Sequence, residues 1–163
     1  MNVLEAYERI PTARYCSGCH ACAIRCSGAV PASAVEWERI RDYLRLELPS
    51  IDVARLLHED KSYTVADAWQ MEFCPLYDMR TRRCAVYPVR PLVCRLLGFV
   101  EWMPCPIERR LPVLDDGVRL MREYAEERLR ALPEWLEQNP LTWNRHPQDH
   151  GAEPELEVEA ING

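Results

Sequence analysis

Nowhere in the sequence do apolar residues run unbroken for anything near the roughly 18 positions of a membrane span, because a charged side chain interrupts every few residues. The opening "MNVLEAYERI" sets Glu5, Glu8 and Arg9 among its apolar positions and lacks both a basic start and an apolar centre, so no secretory signal is expected. The six glycines are scattered, with neither GxGxxG nor GxxxxGK among them, and no serine-triad pattern appears. An excess of positive charge is missing as well. With 26 acidic against 20 basic residues and a formal net charge of −6, the chain lacks the electropositive face that general nucleic-acid binding requires. These absences together predict a soluble, cytoplasmic protein with no membrane span and no nucleic-acid partner.

What the sequence does have is cysteine. A chain of 163 residues with 48% apolar content can bury a core of its own, so its eight cysteines are expected to carry chemistry rather than to staple the fold. Cytosolic thiols are kept reduced, and eight cysteines could pair in about 105 ways, which disfavours a disulfide framework. The spacing reads C-x2-C-x2-C-x3-C over Cys16, Cys19, Cys22 and Cys26, followed 47 residues later by C-x9-C-x9-C-x10-C over Cys74, Cys84, Cys94 and Cys105. A tetrahedral zinc ion is usually held by paired C-x2-C knuckles, and a third cysteine at the same step has no natural place on it. A cubane cluster offers several iron corners that successive short steps can reach. The first run also has the spacing of bacterial ferredoxins, in which the fourth cysteine serves the other cluster, although Ser27 stands where a proline usually follows. Iron–sulfur ligation is therefore favoured over zinc.

Periodicity predicts mostly helix. "VLEAYERI" is a short helical pattern stopped by Pro11. Ser33 and Glu36 have capping-box spacing ahead of Val35, Ile40, Leu44 and Leu48, which predicts a helix at about 33–48. A second helix is expected at about 50–60 with Ser50 as N-cap, "TVADAWQMEF" adds a helical turn or two, and a third long helix is expected at 115–131, followed by "PEWLEQ". Prolines at 75, 88, 91, 104 and 106 keep residues 74–106 in loops, with "CAVY" as a brief strand at most. The expected fold is mainly α: a small helical domain wrapped around a cysteine-rich metal-binding loop core with little or no strand. One domain is expected over 1–140, with metal-binding segments at 14–28 and 74–106 and an acidic, turn-rich tail at 141–163.

"CSGCHAC" followed downstream by "CPLYDMRTRRCAVYPVRPLVCR" resembles the YkgJ-type cysteine-cluster family of zinc- or iron-chelating proteins, whose pattern is CxxCxxCC, then CPxL, then C-x-IY-xx-RP-xx-CR. Cys74-Pro75-Leu76, Cys84-Ala85-Val86-Tyr87, Arg90-Pro91 and Cys94-Arg95 match in order and spacing. Ala23 stands where the family's doubled cysteine would be, and Cys26 lies three residues further on. The resemblance implies metal binding over about residues 14–106 and leaves the reaction open. It points to Cys16, Cys19, Cys22, Cys74, Cys84 and Cys94 as the metal-binding core, and counting adds Cys26 and Cys105 to complete a second centre.

Residues 74–95 carry Arg80, Arg82, Arg83, Arg90 and Arg95 against Asp78 alone. A thiolate-ligated cluster is anionic, so Arg90 and Arg95, beside Cys94, are read as donors that stabilise it, while the other three arginines read as solvent-facing. Tyr87, Phe99 and Trp102 could shield a cluster from water, although core packing is the more ordinary role. His20 could replace a thiolate, and His146 and His150 have ligand spacing only if helical, which Pro147 opposes.

These residues lead to a [4Fe-4S] protein, with one or two clusters, acting in electron transfer or as a redox subunit of a larger assembly. The alternatives are a metalloenzyme with an open iron or zinc position, performing transferase or redox chemistry, and a zinc-stabilised interaction module. A protein partner is expected in each case. Glu153, Glu155, Glu157 and Glu159 would offer a string of carboxylates to a basic groove on such a partner.

Overall fold

The computed structural model describes residues 2–10, 19, 21–65, 68–108 and 111–141. Cys16, His20, His146, His150 and the acidic run of the tail lie outside the described residues.

Helix α1 (Val3–Arg9) starts where the Asn2 side chain accepts the Leu4 N–H at 3.1 Å and ends before Pro11. A short 3-10 helix (Ala21–Arg25) comes next, then strand β1 (Pro31–Ala32) and helix α2 (Ala34–Leu46). The predicted capping box is present, because the Ser33 hydroxyl accepts the Glu36 N–H while the Glu36 carboxylate accepts the Ser33 N–H at 2.8 Å. Helix α3 (Ser50–His58) has Pro49 as its N-cap, with Ser50 as its first residue rather than the cap, and turns Val53 and Leu56 inward.

The expectation of a mainly α fold with little or no strand does not hold. Three two-stranded antiparallel sheets accompany six α-helices among the described residues, giving a mixed α/β protein. The stretch read as a third helical segment is half of a hairpin, β2 (Ser62–Val65) against β3 (Trp69–Glu72), in register from Ser62↔Glu72 to Val65↔Trp69. Tyr, Thr and Val in β2 favour extended backbone, and a stacked row of Tyr63, Phe73 and Tyr77, with ring centroids 4.5 Å apart at each step, ties the hairpin to the chain beyond Phe73.

Strands β4 (Tyr77–Asp78) and β5 (Arg83–Cys84) form the second hairpin, with Tyr77 opposite Cys84. A 3-10 turn (Tyr87–Val89) and the one-turn helix α4 (Leu92–Arg95) occupy the rest of the family-like pattern, so its prolines shorten the elements without abolishing them. The helix expected at 115–131 is shorter, α5 (Gly117–Ala125), because Arg130 and Ala131 are claimed by β6 (Arg130–Ala131), which pairs with β1. Helix α6 (Leu132–Gln138) closes the described chain with Pro133 in its first turn.

Two apolar clusters form the interior. One joins Trp37, Ile40 and Leu44 of α2 to Val53 and Leu56 of α3 and to Leu76, Val86 and Leu132. The other joins Val3 and Ala6 of α1 to Leu92, Leu96, Val100, Leu120 and Tyr124. Glu36, wholly buried, ties them together. Its carboxylate accepts from the Tyr7 hydroxyl (2.8 Å), the Leu92 N–H (2.6 Å) and the Tyr124 hydroxyl (2.7 Å), in addition to Ser33. Burial, reinforced by this carboxylate, pushes the phenols of Tyr7 and Tyr124 well above their ordinary range, so both remain donors. Among the described residues no helix is long and apolar enough to cross a membrane.

Candidate metal centre

Cys74 ends the connection from β3, and its carbonyl accepts the Tyr77 N–H at 2.9 Å in a tight turn into β4. Cys84 lies across from Tyr77 on β5, and the Ala85 N–H returns to the Leu76 carbonyl at 2.9 Å. Cys94 sits in α4, whose first backbone N–H is held by Glu36. Cys26 arrives from the other end of the sequence, fixed by Gly28, whose N–H donates to the Glu72 carbonyl at 3.0 Å. The hairpin, the one-turn helix and the anchored loop thus bring four thiols from three distant segments onto the first apolar cluster.

Electrostatics couple these four thiols. Burial pushes the Cys26 thiol up to about 12, helped by the neighbouring Cys84 and Cys22 sulfurs and opposed by the Arg90 guanidinium. Burial likewise raises Cys74, which feels Cys26 and Cys84, and Cys94, which feels Cys74, Cys84 and Cys26. The Cys84 thiol is raised by burial too, and again Arg90 acts against the shift. The Leu76 N–H donates to Cys74 and the Val86 N–H to Cys84, so two of the sulfurs already receive backbone donors. Such thiols hold their protons unless a cation takes their place.

A cavity of about 180 Å³ opens beside them, lined by Cys22, Cys26, Cys84, Cys94 and Arg90 and walled by apolar side chains such as Val93, Leu97 and Met103. Cys74, only 5% exposed, is not part of this lining. Seven cysteines are free thiols among the described residues. No group of three or more His, Cys, Asp or Glu side chains among the described residues is drawn tightly enough to hold a single metal ion as it stands.

The residues expected to serve the site divide. Arg90 reaches the thiols, and its guanidinium also stacks 4.1 Å from the Tyr87 ring centroid, with Tyr87 on the cavity wall. Arg95 turns elsewhere: it donates to the carbonyls of Arg90 (3.0 Å) and Pro88 (2.5 Å) and lies 4.3 Å over the Tyr7 ring. Arg80, Arg82 and Arg83 are exposed. Phe99 is core and Trp102 is half exposed. Cys26 stands with Cys74, Cys84 and Cys94, whereas Cys105 lines a second cavity with Cys19 and Cys22. Glu36 was visible only as a capping residue; its partners lie 29, 56 and 88 positions away, beyond any local pattern.

A model of the CxxCxxCC family, described as "Putative zinc- or iron-chelating domain", matches residues 15–112, and the chain belongs to this family. No solved structure matches the chain.

Proposed function

We propose that the protein binds a [4Fe-4S] cluster through Cys26, Cys74, Cys84 and Cys94 and works in electron transfer as a redox subunit of a larger assembly. The observation that carries this reading is the gathering of those four thiols beside a cavity of about 180 Å³ whose lining includes Arg90. Soft thiolates suit iron–sulfur and zinc sites alike. A cavity beside the sulfurs offers the room that a cubane needs and a single tetrahedral ion does not. Ligation by four thiolates leaves no iron position open to a reactant, which favours moving electrons over binding a substrate.

The protein's own part is to tune and protect that group. Arg90 offsets the negative charge of the ligand set, and the backbone donors on Cys74 and Cys84 withdraw charge from the sulfurs; both effects raise a reduction potential. Val93, Leu97 and Met103 keep water from one side of the cavity.

The test is anaerobic purification with iron, acid-labile sulfide and zinc counted per chain. The expected protein is brown, with broad thiolate-to-iron absorption that bleaches in air or dithionite. Stoichiometric zinc without acid-labile sulfide would overturn the reading.

A further inference from the structure

Carboxylates outnumber basic side chains in this chain by 26 to 20, and arginines in several parts of the fold have taken one: Arg9 and Arg119 share Asp116, Arg41 meets Asp42 and Arg55 meets Asp78. Arg25, Arg39, Arg90 and Arg95 form no ion pair among the described residues, and these four belong to one band of the surface. We infer that this band is the docking face for the acidic surface of a protein electron carrier that delivers to the thiol cavity; the inference rests on the electron transfer proposed for that cavity.

The band begins at the cavity itself. Arg25 and Arg90 both line it, and the lining contains no Asp or Glu. From Arg90 it continues to Arg95, whose Nε donates to the Arg90 carbonyl at 3.0 Å. It ends at Arg39, because the Arg95 and Arg39 guanidiniums lie 4.3 and 5.1 Å from the centroid of one ring, that of Tyr7. Glu36 is the carboxylate on the buried side of that ring. Its oxygens are taken up by the Tyr7 and Tyr124 hydroxyls and by the Ser33 and Leu92 N–H groups, so it offsets part of the positive charge without reaching an arginine. Arg25 is exposed and the other three are half-buried, which leaves the band open to an approaching surface.

Two features select an acidic protein over a nucleic acid. A net charge of −6 repels a long polyanion, and four arginines fall short of the roughly 6–10 phosphate contacts on which electrostatic binding to a duplex rests. The cavity also supplies half-buried Val93, Leu97 and Met103, so the cations border an apolar centre, as in the interfaces that proteins make with one another. Arginine keeps its charge at any working pH and can hold a carboxylate by two parallel bonds. Redox encounters use small interfaces steered by charge, and a few such contacts at the mouth of the cavity suffice to orient one.

The experiment measures binding of a fluorescently labelled flavodoxin, a small acidic electron carrier, to the full protein purified anaerobically, at about 50 and 300 mM salt. Arg39→Glu and Arg25→Glu are compared with Arg45→Glu, which changes the net charge equally at an exposed position in the last turn of α2, on another face of the helix from Arg39. The expected result is an affinity that falls as salt rises, and that drops about fivefold in Arg39→Glu and in Arg25→Glu but less than about twofold in Arg45→Glu. Thermal unfolding is recorded for each variant. Because Arg25 and Arg39 lie on separate elements, misfolding of one variant leaves the other to decide. Equal effects at positions 39 and 45, or no binding of the carrier at about 50 mM salt, would overturn the docking face. Tighter binding of labelled polyuridylate RNA than of the carrier, lost in the same two variants, would overturn it in favour of a nucleic acid. Iron, acid-labile sulfide and zinc counted in the same samples separate this inference from the one it rests on. Zinc without sulfide, with the contrast between positions 39 and 45 intact, would overturn the electron-transfer reading and leave an acidic partner at this face.

Discussion

The two groups of cysteines rest on different foundations. Cys74 and its neighbours lie on an apolar cluster of Trp37, Ile40, Leu44 and Leu76, held by a hairpin and by a helix pinned to a buried carboxylate. Cys19, Cys22 and Cys105 are all half-buried, and Cys105 depends on a glycine turn for its placement. A metal at the deep site is therefore bonded to the same packing that holds the fold together. Cys19, Cys22 and Cys105 are not among the residues packed on that cluster.

The contrast breaks most visibly at Glu36. Replacing it by Leu removes the acceptor of the Tyr7 and Tyr124 hydroxyls and of the Ser33 and Leu92 N–H groups, and each buried donor left without a partner costs roughly 1–3 kcal/mol. A loss of about 4 kcal/mol in urea unfolding is expected, together with loss of metal from the deep site as α4 comes free. A shift under about 1 kcal/mol would mean that the two apolar clusters do not depend on this node.

Next in size is the difference between Cys74→Ser and Cys19→Ser. A serine at position 74 sets a hydroxyl in an apolar, 5% exposed site, a change of about 2 kcal/mol, whereas one at position 19 is half in water and should stay within about 0.5 kcal/mol. Equal effects in thermal unfolding would erase the distinction between the two foundations.

A smaller effect concerns acid. Asp78 is buried, which by itself would raise its carboxyl, but the two-point contact with Arg55 (3.1 and 3.3 Å) and the Thr81 N–H carry it down to about 2. Because the folded value is depressed, the stabilisation is complete above the unfolded value near 3.9 and is lost as pH falls through about 2. After allowing for solvent screening this amounts to about 1–2 kcal/mol, and Asp78→Asn should flatten unfolding free energy between about pH 4 and 2 by that amount. An unchanged acid limb in the variant would show that the β4–β5 hairpin, and Cys84 with it, is held by other contacts.

The smallest expected change has the opposite sign. Arg82, in the same hairpin, has φ +56°, a left-handed conformation that costs a non-glycine residue up to about 1 kcal/mol. Arg82→Gly should raise the melting temperature slightly with the metal content unchanged. A lower melting temperature would mean that the arginine side chain contributes more than its backbone strain removes.

How much of this is legible in the sequence depends on how far apart the partners lie. The capping box of Ser33 and Glu36 spans three residues and is readable, as are α1, α2 and α3 to within a few positions. The hairpin over residues 62–72 is not, because "TVADAWQMEF" also satisfies a helical spacing and only the stacked Tyr63, Phe73 and Tyr77 decide against it. The shortening of α5 cannot be foreseen either: Arg130 and Ala131 pair with residues nearly a hundred positions earlier, a contact that leaves no local mark. Of the residues gathered at the candidate site, Cys26, Cys74, Cys84, Cys94 and Arg90 are visible from type and spacing. The diversion of Arg95 to the Pro88 and Arg90 carbonyls and to Tyr7 is not, since it depends on α1 lying beside α4.

The β1–β6 ladder brings Trp135 against Trp37, with ring centroids 6.2 Å apart and planes only 6° from parallel, and the Trp135 indole N–H donates to the Ala32 carbonyl at 2.9 Å. Two indoles in that arrangement couple their electronic transitions, so the pair works as a built-in optical gauge. Its near-ultraviolet circular dichroism reports whether α6 is docked, with no label attached. Trp37 belongs to the cluster that also contains Cys74, so its emission lies within energy-transfer range of any visible chromophore seated among the deep thiols. One fluorescence trace recorded during reconstitution would therefore follow the docking of α6 and the filling of the thiol site on the same clock.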